Sequence, residues 1–411
     1  MLDRFFHLRA RRTSLRTEIL GGVTTFVTLS YIVFVQPAVL ATIGMEPGAV
    51  LVATCLASAF ATLLMGLWAR YPIAVAPAMG HNFYFAFTVG GPVAAGGLGY
   101  GWQVALGANC LAGVAFLVLS LVGLRERLID AIPDSLKHAI AAGIGLLIAL
   151  VGFEWAGIVR PVPGTIIGLG RLAAPPTLVA IGGTLLTAAL LARRAPGAIV
   201  IGTLATGLAA GLAGFVRFHG ILAPPPSLAP TFACLDLGAA LWPDLVHVVF
   251  VLFFLGLFDT VGTLVGVAEQ AGFLVESAAG VQAGARTGLA SVVTAGLFLV
   301  ALFCAPLARM AGQGVPVGDA TLHPIVAPAL IMVGSFMMRS VARIDLADPP
   351  AAVASFLTLV TMPFAFSITE GIAFGFIAYA ALMLAAGRGR EVHPLLYLFA
   401  ALFAIRYAYL T

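Results

Sequence analysis

Charge is what this sequence has least of. Only 9% of its 411 residues are Asp, Glu, Lys or Arg, against about a quarter in a soluble domain. That excludes an ordinary soluble fold. The four cysteines, Cys55, Cys110, Cys234 and Cys304, are scattered, which excludes a disulfide framework or a thiolate metal site and reads them as small buried hydrophobes. No phosphate-binding loop, nucleophile triad or metal-ligand spacing is present, so neither a cofactor nor a metal is expected. The first sixteen residues are polar and basic and the first apolar run is span-length, so no cleavable signal is read. The formal charge of +4 is small and points to basic cytoplasmic loops rather than to nucleic acid.

What is there is apolar. Hydrophobic residues make up 61% of the chain, and its mean hydropathy is +1.08. A spanning helix needs about 20 such residues, so the length accommodates a dozen or more spans of an all-α polytopic membrane protein. The 47 glycines and 24 prolines exceed the needs of plain bundle helices and suit the broken helices of transporters. Arg4, Arg9, Arg11, Arg12 and Arg16 place the N-terminus in the cytoplasm.

Spans are expected at about 18–41, 48–69, a broken 71–90, 101–124, 138–158, 176–192, 196–216, 244–268, 276–285, 287–308, 323–340, 351–367 and 368–386. A last run, 393–410, contains Arg406 and reads as a C-terminal helix that either spans or lies at the interface. Gly197–Leu204 and Gly371–Ala378 echo each other, and each half carries one short glycine-broken span. Such paired symmetry points to an inverted repeat. The organisation expected is a 1–16 cytoplasmic tail, a 17–216 first repeat, a 217–243 extracytoplasmic loop, a 244–386 second repeat and a 387–411 C-terminal helix.

Counting crossings exposes a conflict. If 276–285 follows 244–268 directly, Arg286, Arg339, Arg343, Arg388 and Arg390 fall outside and only Arg309 inside. One further crossing between Phe273 and Glu276 makes five of these six cytoplasmic, as the positive-inside rule requires. Either a span is absent from this chain at 274–276, or the short 276–285 segment is not a full crossing.

Asp259 lies deep in the 244–268 run, and Glu276 opens the next apolar run. An acid at membrane depth costs several kcal/mol, so each marks a functional site: a carboxylate that accepts from a substrate's N–H edge or carries a coupled proton. Glu276 also suits the first turn of a half-helix. In the broken segment Pro72–Phe85, helix is expected to start near His81-Asn82, with Asn82 as N-cap and its amide free to meet a heterocycle. His81 is a candidate proton shuttle. Phe83, Tyr84, Phe253, Phe254 and Phe258 could stack on a planar ligand or simply pack. Glu154 and Glu370 lie at span edges and carry less weight.

Three stretches then carry a resemblance: Phe258-Asp259-Thr260-Val261-Gly262-Thr263, Glu276-Ser277-Ala278-Ala279-Gly280 with Arg286-Thr287-Gly288-Leu289, and Glu370-Gly371-Ile372-Ala373-Phe374-Gly375-Phe376. From about Arg16 onward the chain resembles the guanine/hypoxanthine branch of the nucleobase:cation symporter family. The resemblance implies a seven-plus-seven inverted repeat with core and gate domains, whose third and tenth spans are each a short strand plus a half-helix. It implies purine uptake with protons favoured over sodium, in the cell membrane. Asp259, Glu276 and Asn82 would bind the base, with Phe83, Phe258 and Thr260 beside it and with Asp259, Glu276 and His81 as proton-coupling candidates. His81 departs from the family's usual aliphatic residue. The ninth span and the strand before the tenth are missing between Phe273 and Glu276. Oligomeric state is left open, a homodimer included. The alternatives are a non-transporting remnant or sensor of the same fold and an intramembrane enzyme with Asp259 and Glu276 as its acid pair.

Overall fold

A computed structural model of the chain describes residues 5–93, 96–123, 131–162, 166–268, 280–281, 283–318 and 320–409, the side chains of 166, 243, 258–268 and 409 excepted. Helices α1 (Leu15–Leu29), α2 (Ile32–Ala41) and α3 (Pro47–Leu64) begin it. Ser14 caps α1 by accepting from Thr17 N at 3.2 Å, and Pro47 sits in the first turn of α3, where its missing N–H is harmless. An extended stretch leads to the short α4 (Met79–Phe83), which widens into π-type turns over Tyr84–Val89.

Next come α5 (Trp102–Leu121), α6 (Asp134–Trp155), the strand pair β1 (Val159–Val162) and β2 (Ile166–Leu169), α7 (Pro175–Ala192) and α8 (Ala198–Leu212). The later half runs α9 (Val246–Ala268), α10 (Gly288–Ala301), α11 (Ala305–Gly312), β3 (Val315–Val317), β4 (Ala320–Leu322), α12 (Ala327–Met337), α13 (Pro349–Phe364), α14 (Ile368–Ala385) and α15 (Pro394–Tyr409). Outside 276–285, most of which lies outside the described residues, expected spans and observed helices agree to within a few residues. The two antiparallel ribbons, registered Val159 to Leu169 and Val315 to Leu322, add to an all-α expectation that placed short strands only in the third and tenth spans. Both lie in short connections too rich in Pro and Gly to continue a helix. Among the described residues, seven helices are long and apolar enough to cross a membrane.

The chain divides into two compact units. The first comprises 1–82, 151–234 and 261–332. Here α10 packs against α1 and α3, α11 against α2, and α7 against α8. Gly22 makes the α1–α10 approach possible: a Cβ there would stand 2.5 Å from the Ala290 carbonyl oxygen. Without a hydrophobic drive between spans, such close approach is what holds membrane helices together.

The second unit comprises 83–150, 235–260 and 333–411. Its tightest pair is α13 with α14, where a Cβ on Gly375 would meet Thr358 Oγ1 at 1.9 Å. Helix α15 runs antiparallel along α14. Phe399 and Phe403 sit against Phe376, Tyr397 Oη donates to Gly389 O at 2.9 Å, and Arg406 reaches Glu370 at the far end. The loop between these helices is held by Arg388, which reaches Asp348 at 2.6 Å and Glu391 at 2.7 Å. The Arg388 hydrogen bond holds the Glu391 carboxyl below the usual carboxylate range, and its acidic partners raise Arg388 in turn.

Candidate functional site

The broken segment is the best-defined polar feature of the first unit. Pro72 and Pro77 bracket residues that run extended, because proline lacks the N–H a helix or ladder needs. Among the described residues, side chains hold this backbone. Thr62 Oγ1 accepts from Val75 N at 3.0 Å and donates to Val75 O at 3.1 Å. Ser291 Oγ lies 2.8 Å from the Tyr71 carbonyl oxygen and 3.1 Å from that of Ile73, its hydroxyl donating. Buried backbone groups must be paired, and here two hydroxyls on α3 and α10 do it.

Helix begins at Met79, two to three residues earlier than expected. Pro77 stops the extended run, and Ala78 offers the first carbonyl, accepting from Asn82 N at 3.2 Å. Asn82 is therefore not the N-cap: its backbone N–H is spent inside the first turn, and its side chain is free of capping. That side chain donates through Nδ2 to Gln36 Oε1 of α2. Both amides are buried, Asn82 to 5% exposure and Gln36 to 9%. An amide has more donors and acceptors than one such bond consumes, so the pair can still address a ligand. Gln36 escaped the sequence reading. Its signal was a single amide within the apolar run Tyr31–Ala41.

His81 is half-buried in the same turn. Asp259 lies on α9, but its side chain, with those of Phe258 and Thr260, is outside the described residues, as is Glu276 altogether. Phe83 and Tyr84 are fully buried, with Phe83 stacked on Phe87 at 5.5 Å. Phe253 packs on Phe116 and Phe254, and Phe254 on Phe250 and Phe399. These rings are packed against one another in the second unit, which favours the packing alternative for Phe253 and Phe254.

Two further acids take roles that sequence did not single out. Glu18, fully buried on α1, accepts from Arg286 N at 2.8 Å and Thr287 N at 3.2 Å. It places a carboxylate at the N-terminus of α10, where free N–H groups and the helix dipole favour negative charge. Glu370, in the first turn of α14, accepts from Arg406 Nη1 at 3.0 Å and from Tyr407 Oη. Glu154 is exposed on α6. Among the described residues no cluster of His, Cys, Asp and Glu could hold a metal.

Comparison with known proteins bears on this arrangement. The model of the Permease family, Xan_ur_permease, matches residues 16–301. The putative permease MJ0326 of Methanocaldococcus jannaschii is 42% identical over all of this chain and 99% of its own length. The guanine/hypoxanthine permease PbuG of Bacillus subtilis is 39% identical over 99% of both chains, and the adenine permease AdeP of Escherichia coli 36% identical over 100% and 96%. The MJ0326 alignment is 446 positions long and this chain has 411 residues, so at least 35 positions of the relative have no counterpart here. Among solved structures, the transmembrane domain of a cyanobacterial bicarbonate transporter, BicA, superposes with a TM-score of 0.61 over 88% of this chain and 97% of its own. At 19% identity it shares the fold alone.

Proposed function

Since the chain belongs to the Permease family, among the nucleobase permeases, and is a multi-pass membrane transporter rather than an enzyme, we propose that it imports purine bases by proton symport. The cycle is alternating access in a seven-plus-seven inverted repeat, one domain rocking as a gate against a core. It operates in the cell membrane with the N-terminus in the cytoplasm, as the arginines of residues 4–16 favour.

A purine presents N–H donors and ring-nitrogen or carbonyl acceptors around a flat apolar ring. Asp259 and Glu276 are the acceptors for its N–H edge, Asn82 supplies an amide, and Phe83, Phe258 and Thr260 stand beside them in sequence. The observation that carries this reading is the buried Asn82–Gln36 pair in the first turn of a half-helix. A neutral amide pair buried at a helix break is costly unless its remaining groups are used. Asp259, Glu276 and His81 are the proton-coupling candidates.

The test is uptake of radiolabelled hypoxanthine by cells that express the protein and lack their own purine carriers. Asp259→Asn removes the acceptor charge and is expected to reduce uptake to background; unchanged uptake would sink the assignment of Asp259. A second reading, a non-transporting member of the same fold, is favoured by the at least 35 positions missing relative to MJ0326. Its signature is background uptake by the unaltered protein that is correctly inserted in the membrane.

A further inference from the structure

A second polar cluster lies in the other unit, around Glu370. Ser367 caps α14, accepting from Glu370 N at 3.4 Å. The Ser-x-x-Glu spacing is that of a capping box, in which the glutamate would reach back to the cap's N–H. Here the Ser367 N–H is already donated to Met362 O at 3.0 Å. The carboxylate is released from capping and turns to α15, where Arg406 and Tyr407 each take one oxygen. The Glu370 and Arg406 side chains are 23% and 22% exposed.

Three buried polar atoms of this unit have no hydrogen-bond partner: Tyr84 Oη, Thr369 Oγ1, next to Glu370 in the chain, and His247 Nε2. Tyr84 is 0% and Thr369 2% exposed. The phenol points toward Thr369, too loosely for a hydrogen bond, and lies in the field of both Arg406 and Glu370. His247 feels the same two charges together with Asp244. In the neutral tautomer protonated at Nδ1, Nε2 is an acceptor. Each orphan atom can therefore accept from a guanidinium. A buried orphan of this kind asks for an explanation, and a partner that moves is one.

We propose that Glu370 is a proton-binding site of the transport cycle, and that a proton on its carboxylate shifts Arg406 onto Tyr84, Thr369 and His247. The site rests on the reading of the chain as a proton-coupled permease. The proton adds to a Glu370 oxygen and the Arg406 guanidinium stays cationic. Its N–H groups exchange a carboxylate for neutral acceptors, so no other proton need move. The charged and titratable groups around Glu370 are Tyr84, Asp244, His247, Arg406 and Tyr407; Tyr407 keeps its bond to the second carboxyl oxygen and Asp244 takes no part in the exchange. Access is from one side. Glu370 stands at the opposite end of α14 from the loop that carries Arg388 and Arg390, some 18 residues away, so a proton reaches it from the face opposite that loop. Tyr84 follows Asn82 by two residues in one continuous helical stretch, which links the shift of Arg406 to the segment proposed to hold the base.

The experiment uses the full protein in proteoliposomes with radiolabelled hypoxanthine as probe. It compares accumulation driven by an imposed pH gradient with exchange against hypoxanthine trapped inside. Glu370→Gln mimics the protonated acid, and the double variant Glu370→Gln/Arg406→Gln removes both charges so that neither is stranded. Both variants are expected to keep exchange within about twofold of the unaltered protein and to lose accumulation by about tenfold or more, the scale of a typical coupling between sites. The proposal is overturned if the double variant accumulates hypoxanthine with an unchanged pH profile. It is equally overturned if a folded variant loses exchange as well, since Glu370 is then needed for translocation itself. Should the unaltered protein neither exchange nor accumulate the base, the transport reading falls separately. The proton site is then decided by infrared titration: a carboxyl stretch that Glu370→Gln abolishes supports it, and a titration unchanged by that variant overturns it.

Discussion

The two polar regions of this molecule are built in opposite ways. Around the broken segment every described partner is neutral: a threonine and a serine hydroxyl hold the extended backbone, and Asn82 meets Gln36 amide to amide. At the start of α14 the groups are ionic, with Glu370 clamped between Arg406 and Tyr407. Neutral pairs tolerate a low-dielectric surrounding and keep their geometry, which suits a rigid ligand contact. An ion pair in the same surrounding is strong only while both partners stay, so it suits a group that is meant to change partner.

Removing one partner separates the two designs most sharply. Arg406→Ala strands a partly buried carboxylate and is expected to cost about 3 kcal/mol of stability or more, read as a large fall in the thermal midpoint of detergent-solubilised protein. The charge-neutral double variant at Glu370 and Arg406 should recover most of that loss. If Arg406→Ala unfolds no earlier than the parent, the pair is not the clamp described here. On the neutral side Thr62→Val keeps shape but leaves the Val75 N–H and carbonyl unpaired, at about 1–3 kcal/mol. Its loss should not depend on salt or pH, and a strong dependence on either would contradict a neutral support.

The smallest effect belongs to the exposed loop. Glu391 is held below the usual carboxylate range by Arg388. A depressed carboxylate contributes its stabilisation above the unfolded value and loses it as pH falls through the folded one. Stability should thus be flat near neutrality and decline slightly below about pH 4.5, the ordinary glutamate range. Glu391→Gln should remove that part of the decline, and an unchanged acid limb would contradict it.

Much of the fold was legible because long apolar runs bounded by arginines, prolines and glycines leave few choices for a chain in a bilayer. Helix ends, the break after Pro72 and the spacing of spans followed from that alone. What was missed depends on partners distant in sequence. Asn82 looked like a cap because Asn favours that position, but Pro77 and Ala78 set the start earlier. Gln36 bonds to a residue 46 positions away, and Glu18 to the backbone of Arg286, 268 residues on; no local pattern announces either partner. Arg406 made the last helix ambiguous between spanning and interfacial, since nothing local announces Glu370 as its partner. Periodicity reports which side is apolar, not which polar residues meet.

The central claim is purine uptake coupled to protons, and one measurement addresses it directly. Uptake of radiolabelled hypoxanthine is followed at two external pH values, with and without sodium, against a panel of unlabelled bases. Uptake is expected to rise at the more acidic pH, to be indifferent to sodium, and to be competed by purines but not by pyrimidines. Uptake that requires sodium, or that no purine competes, would contradict it.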